Sequence, residues 1–306
     1  MRFRAGIGTI LAVVGIALAA FRADAETFRI ATYNVENYLD APAQRRHVKS
    51  AESRAKVVES IIAIKPDVVA LQEMGEASAL AELRSSLKTN GLELPFTERV
   101  TGYDTNIHVA ILSRLPFIAL RPHTNDDFLL DGRRFRVSRG FAEVEIQVNS
   151  NYSFTLIAAH LKSKRPIPQA DEADLRYEEA KVLRERIDAL FATNGNINLV
   201  VLGDLNDSKD SKSIKEIIGR GRHKLVDTRP AERNGDSPPA NGQPRNISWT
   251  HYYAVEDTYA RFDYILVSPG MAREWVRAET FIATIPNWGV GSDHRPLVVT
   301  FETEDK

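Results

Sequence analysis

The hydrophobic pattern is sharpest at Leu199-Val200-Val201-Leu202, which turns polar at Gly203-Asp204-Leu205-Asn206-Asp207. A short apolar run ended by a turn residue predicts a strand buried on both faces. Val68-Val69-Ala70-Leu71 repeats the pattern and ends at Gln72-Glu73. Residues 27–33 alternate and end at Asn34, and residues 108–112 form another apolar stretch. Residues 141–148 and 152–159 predict a hairpin around Asn149-Ser150-Asn151, its second strand running into His160. Late strands are predicted at 248–253, 262–267 and 297–301. Helix periodicity runs over 53–64, with Val57, Val58, Ile61 and Ile62 on one face, and again over 78–87 and 171–191. Residues 122–139 are polar and charged and predict a surface loop; residues 230–244, rich in Pro, Gly and Asn, predict a second. Two halves share a plan: strand, helix, apolar strand, acid at the strand end. Hairpins mixed with helices favour a mixed-sheet α/β sandwich over a purely parallel sheet.

The polar residues at strand ends are the candidates for chemistry, because open α/β sheets place ligands at carboxyl ends of strands. Asp204 and Asn206 lie two apart, so in extended chain they point to the same side. Gly203 before them allows a close backbone approach. Glu73 offers oxygen to a hard divalent cation, although a charged residue at a strand end is also ordinary. Asn34 ends a strand, where asparagine also serves turns. His160 is a candidate acid, base or hydrogen-bond donor. In Ser292-Asp293-His294 the adjacent acid and imidazole diverge, so Asp263, on the neighbouring strand at 262–267, is the better partner for His294. Arg133, Arg134, Arg136 and Arg139, with Lys162, Lys164 and Arg165, offer phosphate contacts or a solvated charged loop.

Composition narrows the class. The chain has 306 residues and 43% hydrophobic content, enough for one large domain at 26–306. Arg2 and Arg4, an apolar run at 7–20 and Ala23-Asp24-Ala25 predict a signal peptide over 1–25. The alternative is a retained anchor, for which the run is short. An exported, periplasmic or secreted protein is expected, with no stable membrane anchor after cleavage. No protein partner is indicated, and a monomer is expected. The absence of cysteine excludes thiolate metal sites and disulfides. The formal net charge is −1; loss of residues 1–25 removes three basic groups and one acid, leaving −3. That is not the balance of a broad basic nucleic-acid binder. A polyanion would need a local basic patch or a bound cation.

Seven short segments then fall into a familiar order: Thr32-Tyr33-Asn34-Val35-Glu36-Asn37, Leu71-Gln72-Glu73, Ala110-Ile111-Leu112-Ser113-Arg114, Ala159-His160-Leu161-Lys162-Ser163, Gly203-Asp204-Leu205-Asn206-Asp207, Phe262-Asp263-Tyr264-Ile265 and Ser292-Asp293-His294-Arg295-Pro296. Together they resemble the endonuclease/exonuclease/phosphatase superfamily. The resemblance implies a four-layered α/β sandwich of two packed mixed β-sheets flanked by helices, as in deoxyribonuclease-I-like enzymes. It further implies that Glu73 binds Mg²⁺ (with Mn²⁺ or Ca²⁺ as alternatives), with Asn34 beside it and Asp293 near the metal. Asp204 and Asn206 would position water and a phosphate oxygen, and His294, paired with Asp263, would be the base. His160 resembles the second histidine of deoxyribonuclease-I-like enzymes and neutral sphingomyelinases; abasic-site endonucleases differ there. Arg139 and Lys162 are the expected phosphate contacts. Relatives often carry glycine before the strand at 108–112, where this chain has Asp104-Thr105-Asn106-Ile107. The expected activity is metal-dependent phosphodiester hydrolysis, with DNA or RNA as substrate. A lipid phosphodiesterase or a phosphomonoesterase is the first alternative, and a non-catalytic binding module the second.

Overall fold

Alternation along the core strands sorts side chains onto two faces, and both faces are covered. A computed structural model describes residues 26–43, 46–232 and 247–306. The expected signal peptide and most of the loop at 230–244 lie outside the described residues. The chain opens with β1 (Thr27–Tyr38), α1 (Ala51–Ile64), β2 (Val68–Met74), α2 (Ala77–Thr89), β3 (Phe96–Val100) and β4 (His108–Ser113). It continues through β5 (Phe117–His123), β6 (Asp127–Leu130), β7 (Arg133–Arg136), β8 (Phe141–Asn149), β9 (Tyr152–His160), α3 (Glu172–Thr193) and β10 (Leu199–Asp204). After α4 (Lys212–Ile218) come β11 (Val226–Asp227), β12 (His251–Tyr253), β13 (Thr258–Ala260), β14 (Asp263–Val267), β15 (Trp275–Ile282) and β16 (Leu297–Glu302).

Two six-stranded mixed sheets result, in the orders β15-β16-β1-β2-β4-β3 and β11-β14-β10-β9-β8-β5. Each holds one parallel pair, β1 with β2 and β9 with β10, among antiparallel neighbours. Phe28 and Ile30 of β1 pack with Val200 and Leu202 of β10 in the core between the sheets. Their alternates, Tyr33 and Val35, meet Val57 and Ile61 of α1 and Leu83 of α2 on the outer face. Leu199 and Val201 meet Leu183 and Ile187 of α3 and Ile214 of α4 on the other outer face. The layers run helix, sheet, sheet, helix, the four-layered sandwich that the motifs imply. Each fully buried Val or Leu contributes roughly 1.5–3 kcal/mol by area alone. Among the described residues no helix is long and apolar enough to cross a membrane.

Three caps set where the helices start. Ser50 accepts from Ser53 N at 3.1 Å, Asp171 from Ala173 N at 2.8 Å, and Ser211 from Ile214 N at 3.2 Å. The pattern at 122–139 is misread as loop. β5 reaches His123, and β6 and β7 form a hairpin that stacks Phe128 on Phe135 at 6.0 Å. Its turn is Asp131-Gly132, both at positive φ (50° and 74°), a two-residue hairpin signal that charged flanks hide. The short strands β3 and β13 and the helix α4 also carry too few apolar positions to stand out, while β15 (Trp275–Ile282) has its apolar residues at its two ends around Arg277-Ala278-Glu279-Thr280 rather than in alternation.

Candidate active site

The apolar face between the sheets turns polar at one end, and that change of character builds the site. On β10, Val200 and Leu202 lead by alternation to Asp204; on β1, Phe28 and Ile30 lead to Thr32 and Asn34. On β9 the same parity carries Leu156 and Ala158 to His160, and on β14 it carries Val267 and Ile265 to Asp263. The residues are thus delivered at the carboxyl ends of both parallel pairs.

Asp204 is the hub. Asn34 Nδ2 donates to its Oδ2 at 3.0 Å, across the two sheets. His160 Nε2 lies 3.5 Å and His294 Nε2 3.7 Å from the same oxygen. The register pairs Asp204 with His160 and Gly203 with Ala159. Gly203, at φ 133°, makes this closeness possible, since a Cβ there would stand 1.9 Å from the Ala159 carbonyl oxygen. We predict that Gly203→Ala destabilises the fold by at least about 1–3 kcal/mol from backbone strain alone. Thermal unfolding with and without the substitution checks this, and an unchanged midpoint would contradict it.

Asn206 comes to the site differently from the extended-chain expectation. β10 ends at Asp204, and Asn206 has φ 53°. Its N–H donates to Asp204 Oδ1 at 2.9 Å and its Nδ2 to Leu161 O at 3.1 Å. A local turn, rather than strand alternation, sets the Asn206 backbone N–H on the Asp204 carboxylate and its side chain on Leu161 O.

His294 is held from both sides of its ring. Nδ1 meets Asp263 Oδ2 at 2.7 Å, while Nε2 faces Asp204 and stands 3.9 Å from Asp293 Oδ1. Ser292 fixes the turn that carries it, donating to Asn34 O at 2.7 Å and accepting His294 N at 3.0 Å. Burial opposes charge on this imidazole, but Asp263, Asp204 and Asp293 together raise its pKa well above the ordinary value. His160 goes the other way: burial, then the charges of Arg139, His294 and Arg46, depress its pKa well below the ordinary value. Burial and the Asp263 charge push Asp204 up to about 7, against the pull of His294 and Asn34.

Glu73 departs from strand alternation through a left-handed backbone at φ 61°. Its Oε2 accepts from Asn37 N at 3.1 Å and faces Arg46 Nη1 at 3.3 Å. Glu36 belongs to the same rim, its pKa raised by burial and then by the charges of Asp293 and Glu73. Burial works against the Asp293 charge, yet His251 and His294 hold its carboxyl below the usual range. Glu36, Glu73 and Asp293 lie within electrostatic reach of one another and offer the oxygen that a hard divalent cation prefers, while Asn34 Oδ1 beside them accepts Glu36 N at 2.9 Å. Asp263 Oδ1 and His160 Nδ1 are buried with no hydrogen-bond partner among the described residues, so the site retains polar capacity. Two tighter groups, Asp204–Asp263–His294 and His251–Asp293–His294, also bring ligand atoms within 4.8 Å of one another. In the first, Asp263 already occupies His294 Nδ1, a geometry suited to proton transfer.

The basic residues divide. Arg139 is buried, donates to Leu161 O at 3.0 Å and stands 3.6 Å from Asp104, within electrostatic reach of His160. Lys162 turns its ammonium onto the carbonyls of Ser163 and Arg165, at 2.9 and 2.7 Å, and braces its own loop. The buried Glu179 anchors that loop by accepting Lys162 N at 2.6 Å. Glu36, Arg46, Lys49 and His251 are absent from the sequence-derived set. Glu36 lies inside a quoted motif, and the other three carry no spacing signal.

The model of the endonuclease/exonuclease/phosphatase family matches residues 31–294. No curated protein sequence matches the chain. Among solved structures, the human Nocturnin catalytic domain with bound sulfate is similar at TM-score 0.62 and 16% identity, covering 90% of this chain and 94% of that one. Truncated Caenorhabditis elegans TDP2 is similar at TM-score 0.56 and 16% identity, covering 90% and 97%. Sphingomyelinase C from Streptomyces griseocarneus is similar at TM-score 0.57 and 19% identity, covering 90% and 100%. These likenesses are of fold.

Proposed function

Because the chain belongs to the endonuclease/exonuclease/phosphatase family, whose members are phosphoric ester hydrolases, we propose that it is a divalent-metal-dependent phosphodiesterase. The observation that carries this reading is a buried imidazole, His294, fixed by Asp263 and aimed at Asp204 beside a rim of carboxylates. Glu73 and Asp293, with Asn34, would hold Mg²⁺ or a similar ion. When bound, that ion supplies positive charge to the phosphoryl oxygens.

The chain's own groups do the rest. His294 Nε2 takes a proton from the attacking water, and Asp263 keeps Nδ1 protonated and the ring in place. Asp204 Oδ2 orients the water, and Asn206 fixes Asp204 through its N–H. Burial keeps His160 neutral, which suits hydrogen bonding to a phosphoryl oxygen. Arg139 adds positive potential behind it.

We further propose that nucleic acid is the substrate and that the protein is exported. The export proposal rests on the pattern at 1–25. One observation favours a second reading, a lipid phosphodiester: the β12–β13 hairpin, joined to the site through Tyr252 N and Asp293 O at 2.9 Å, exposes Tyr253, Val255 and Tyr259.

A panel of plasmid DNA, RNA, an aryl phosphodiester, an aryl phosphomonoester and sphingomyelin vesicles, with Mg²⁺, Mn²⁺, Ca²⁺ or chelator, tests both. Diester cleavage that stops with chelator is expected, fastest on nucleic acid. Preference for the monoester would reject the diesterase reading. Preference for vesicles would select the lipid reading.

A further inference from the structure

Two cations stand against the acids of the rim, and both come from the chain between β1 and α1, outside every motif quoted above. Lys49 Nζ lies 3.4 Å from Glu36 Oε2, its side chain only 7% exposed. Arg46 Nη1 lies 3.3 Å from Glu73 Oε2 and also bonds Asn37 Oδ1. A backbone bridge between Ala43 and Arg46, at 2.8 and 3.2 Å, fixes where the Arg46 side chain starts. The Arg46 charge is felt at His160, on the opposite sheet. Among the described residues its Nε and Nη2 make no hydrogen bond, and Nη1 carries both contacts.

A guanidinium and a divalent cation on one carboxylate neutralise the same charge, so they compete. When the cation takes Glu73, the partly desolvated guanidinium loses its counter-charge. A phosphate restores it, because the planar fork meets two phosphate oxygens at once. We propose that Arg46 is a phosphate-binding residue of this site, parked on Glu73 until a divalent cation displaces it onto the phosphoryl group of the substrate. The proposal rests on the reading of Glu73 as a cation ligand. It makes cation and phosphate binding mutually favourable: the cation frees the fork, and phosphate removes the fork as the cation's competitor.

Calorimetry with Mn²⁺, and then with inorganic phosphate on the Mn²⁺-loaded protein, tests it in wild type, Arg46→Ala, Arg46→Lys and Glu73→Gln. Arg46→Ala should bind Mn²⁺ about 2–5-fold more tightly, as expected from removing a weak ion-pair competitor. It should bind phosphate about 10–100-fold more weakly, as expected from losing a charged hydrogen-bond donor. Arg46→Lys should keep the wild-type Mn²⁺ affinity and recover only part of the phosphate affinity, since ammonium lacks the fork. A residue with a purely structural role would weaken both or neither. Weaker Mn²⁺ binding or unchanged phosphate binding in Arg46→Ala, with Glu73→Gln losing Mn²⁺ normally, overturns this proposal alone. Unchanged Mn²⁺ affinity in Glu73→Gln overturns the cation reading, and this proposal with it.

Discussion

Asp204→Ala is expected to lower kcat by about 10³-fold or more while the fold persists, because one carboxylate oxygen serves three partners. Asn34 Nδ2, His160 Nε2 and His294 Nε2 all lie within 3.7 Å of Asp204 Oδ2. Alanine removes the group that orients water between the two imidazoles and frees Asn34 to rotate. Asp204→Asn separates charge from shape, since the amide keeps the volume and one acceptor. It should retain the thermal midpoint of wild type and still lose most turnover. Steady-state rates on an aryl phosphodiester, read beside circular dichroism, check both variants. Near-normal rates in both would show that the hub is structural.

Asp263→Asn is expected to lower the maximal rate by about 10²–10⁴-fold and to move its pH dependence. Asp263 is the foremost of the charges that lift the His294 pKa against burial. As a base, His294 must be neutral, so the rate in wild type rises with pH until this raised pKa is passed. The asparagine variant lacks the lifting charge, and its rise should occur at lower pH. Stability follows the same linkage. The folded pKa of His294 lies above its unfolded value, ordinarily about 6.5. The stabilisation that Asp263 gives the imidazolium is therefore fully present below that pH and fades as pH rises through the folded pKa. Imidazole titration by NMR reads the shift without relying on turnover. An unmoved His294 titration in Asp263→Asn would remove Asp263 from the account.

Much of this arrangement was legible because strand alternation and burial are local rules. The run from Leu199 to Leu202 dictates a doubly covered strand, and the same parity that buries Val200 and Leu202 delivers Asp204 to the cleft edge. His160 and Asp263 follow by identical logic on β9 and β14. The layer order came from resemblance, since periodicity cannot say which sheet a strand joins. Asn206 reaches Asp204 through a left-handed turn, and a left-handed residue is invisible to an alternation rule. Glu73 owes its direction to the same kind of backbone departure. Arg46 and Lys49 were not legible at all: they reach the acids from an irregular segment, and only the folded chain brings them close. The β6–β7 hairpin was within reach, since Asp131-Gly132 is a recognised turn pair, but its charged flanks outweighed that signal.

The central claim is that acids, amides and imidazoles from both sheets meet at one cleft edge, where Glu73, Asn34 and Asp293 would hold a divalent cation. Anomalous diffraction from crystals soaked in Mn²⁺ locates that ion directly. The account predicts one strong peak about 2.0–2.6 Å from a Glu73 carboxylate oxygen, on the Asn34 and Asp293 side of the rim. A peak on another face of the protein, or none at saturating Mn²⁺, would contradict it.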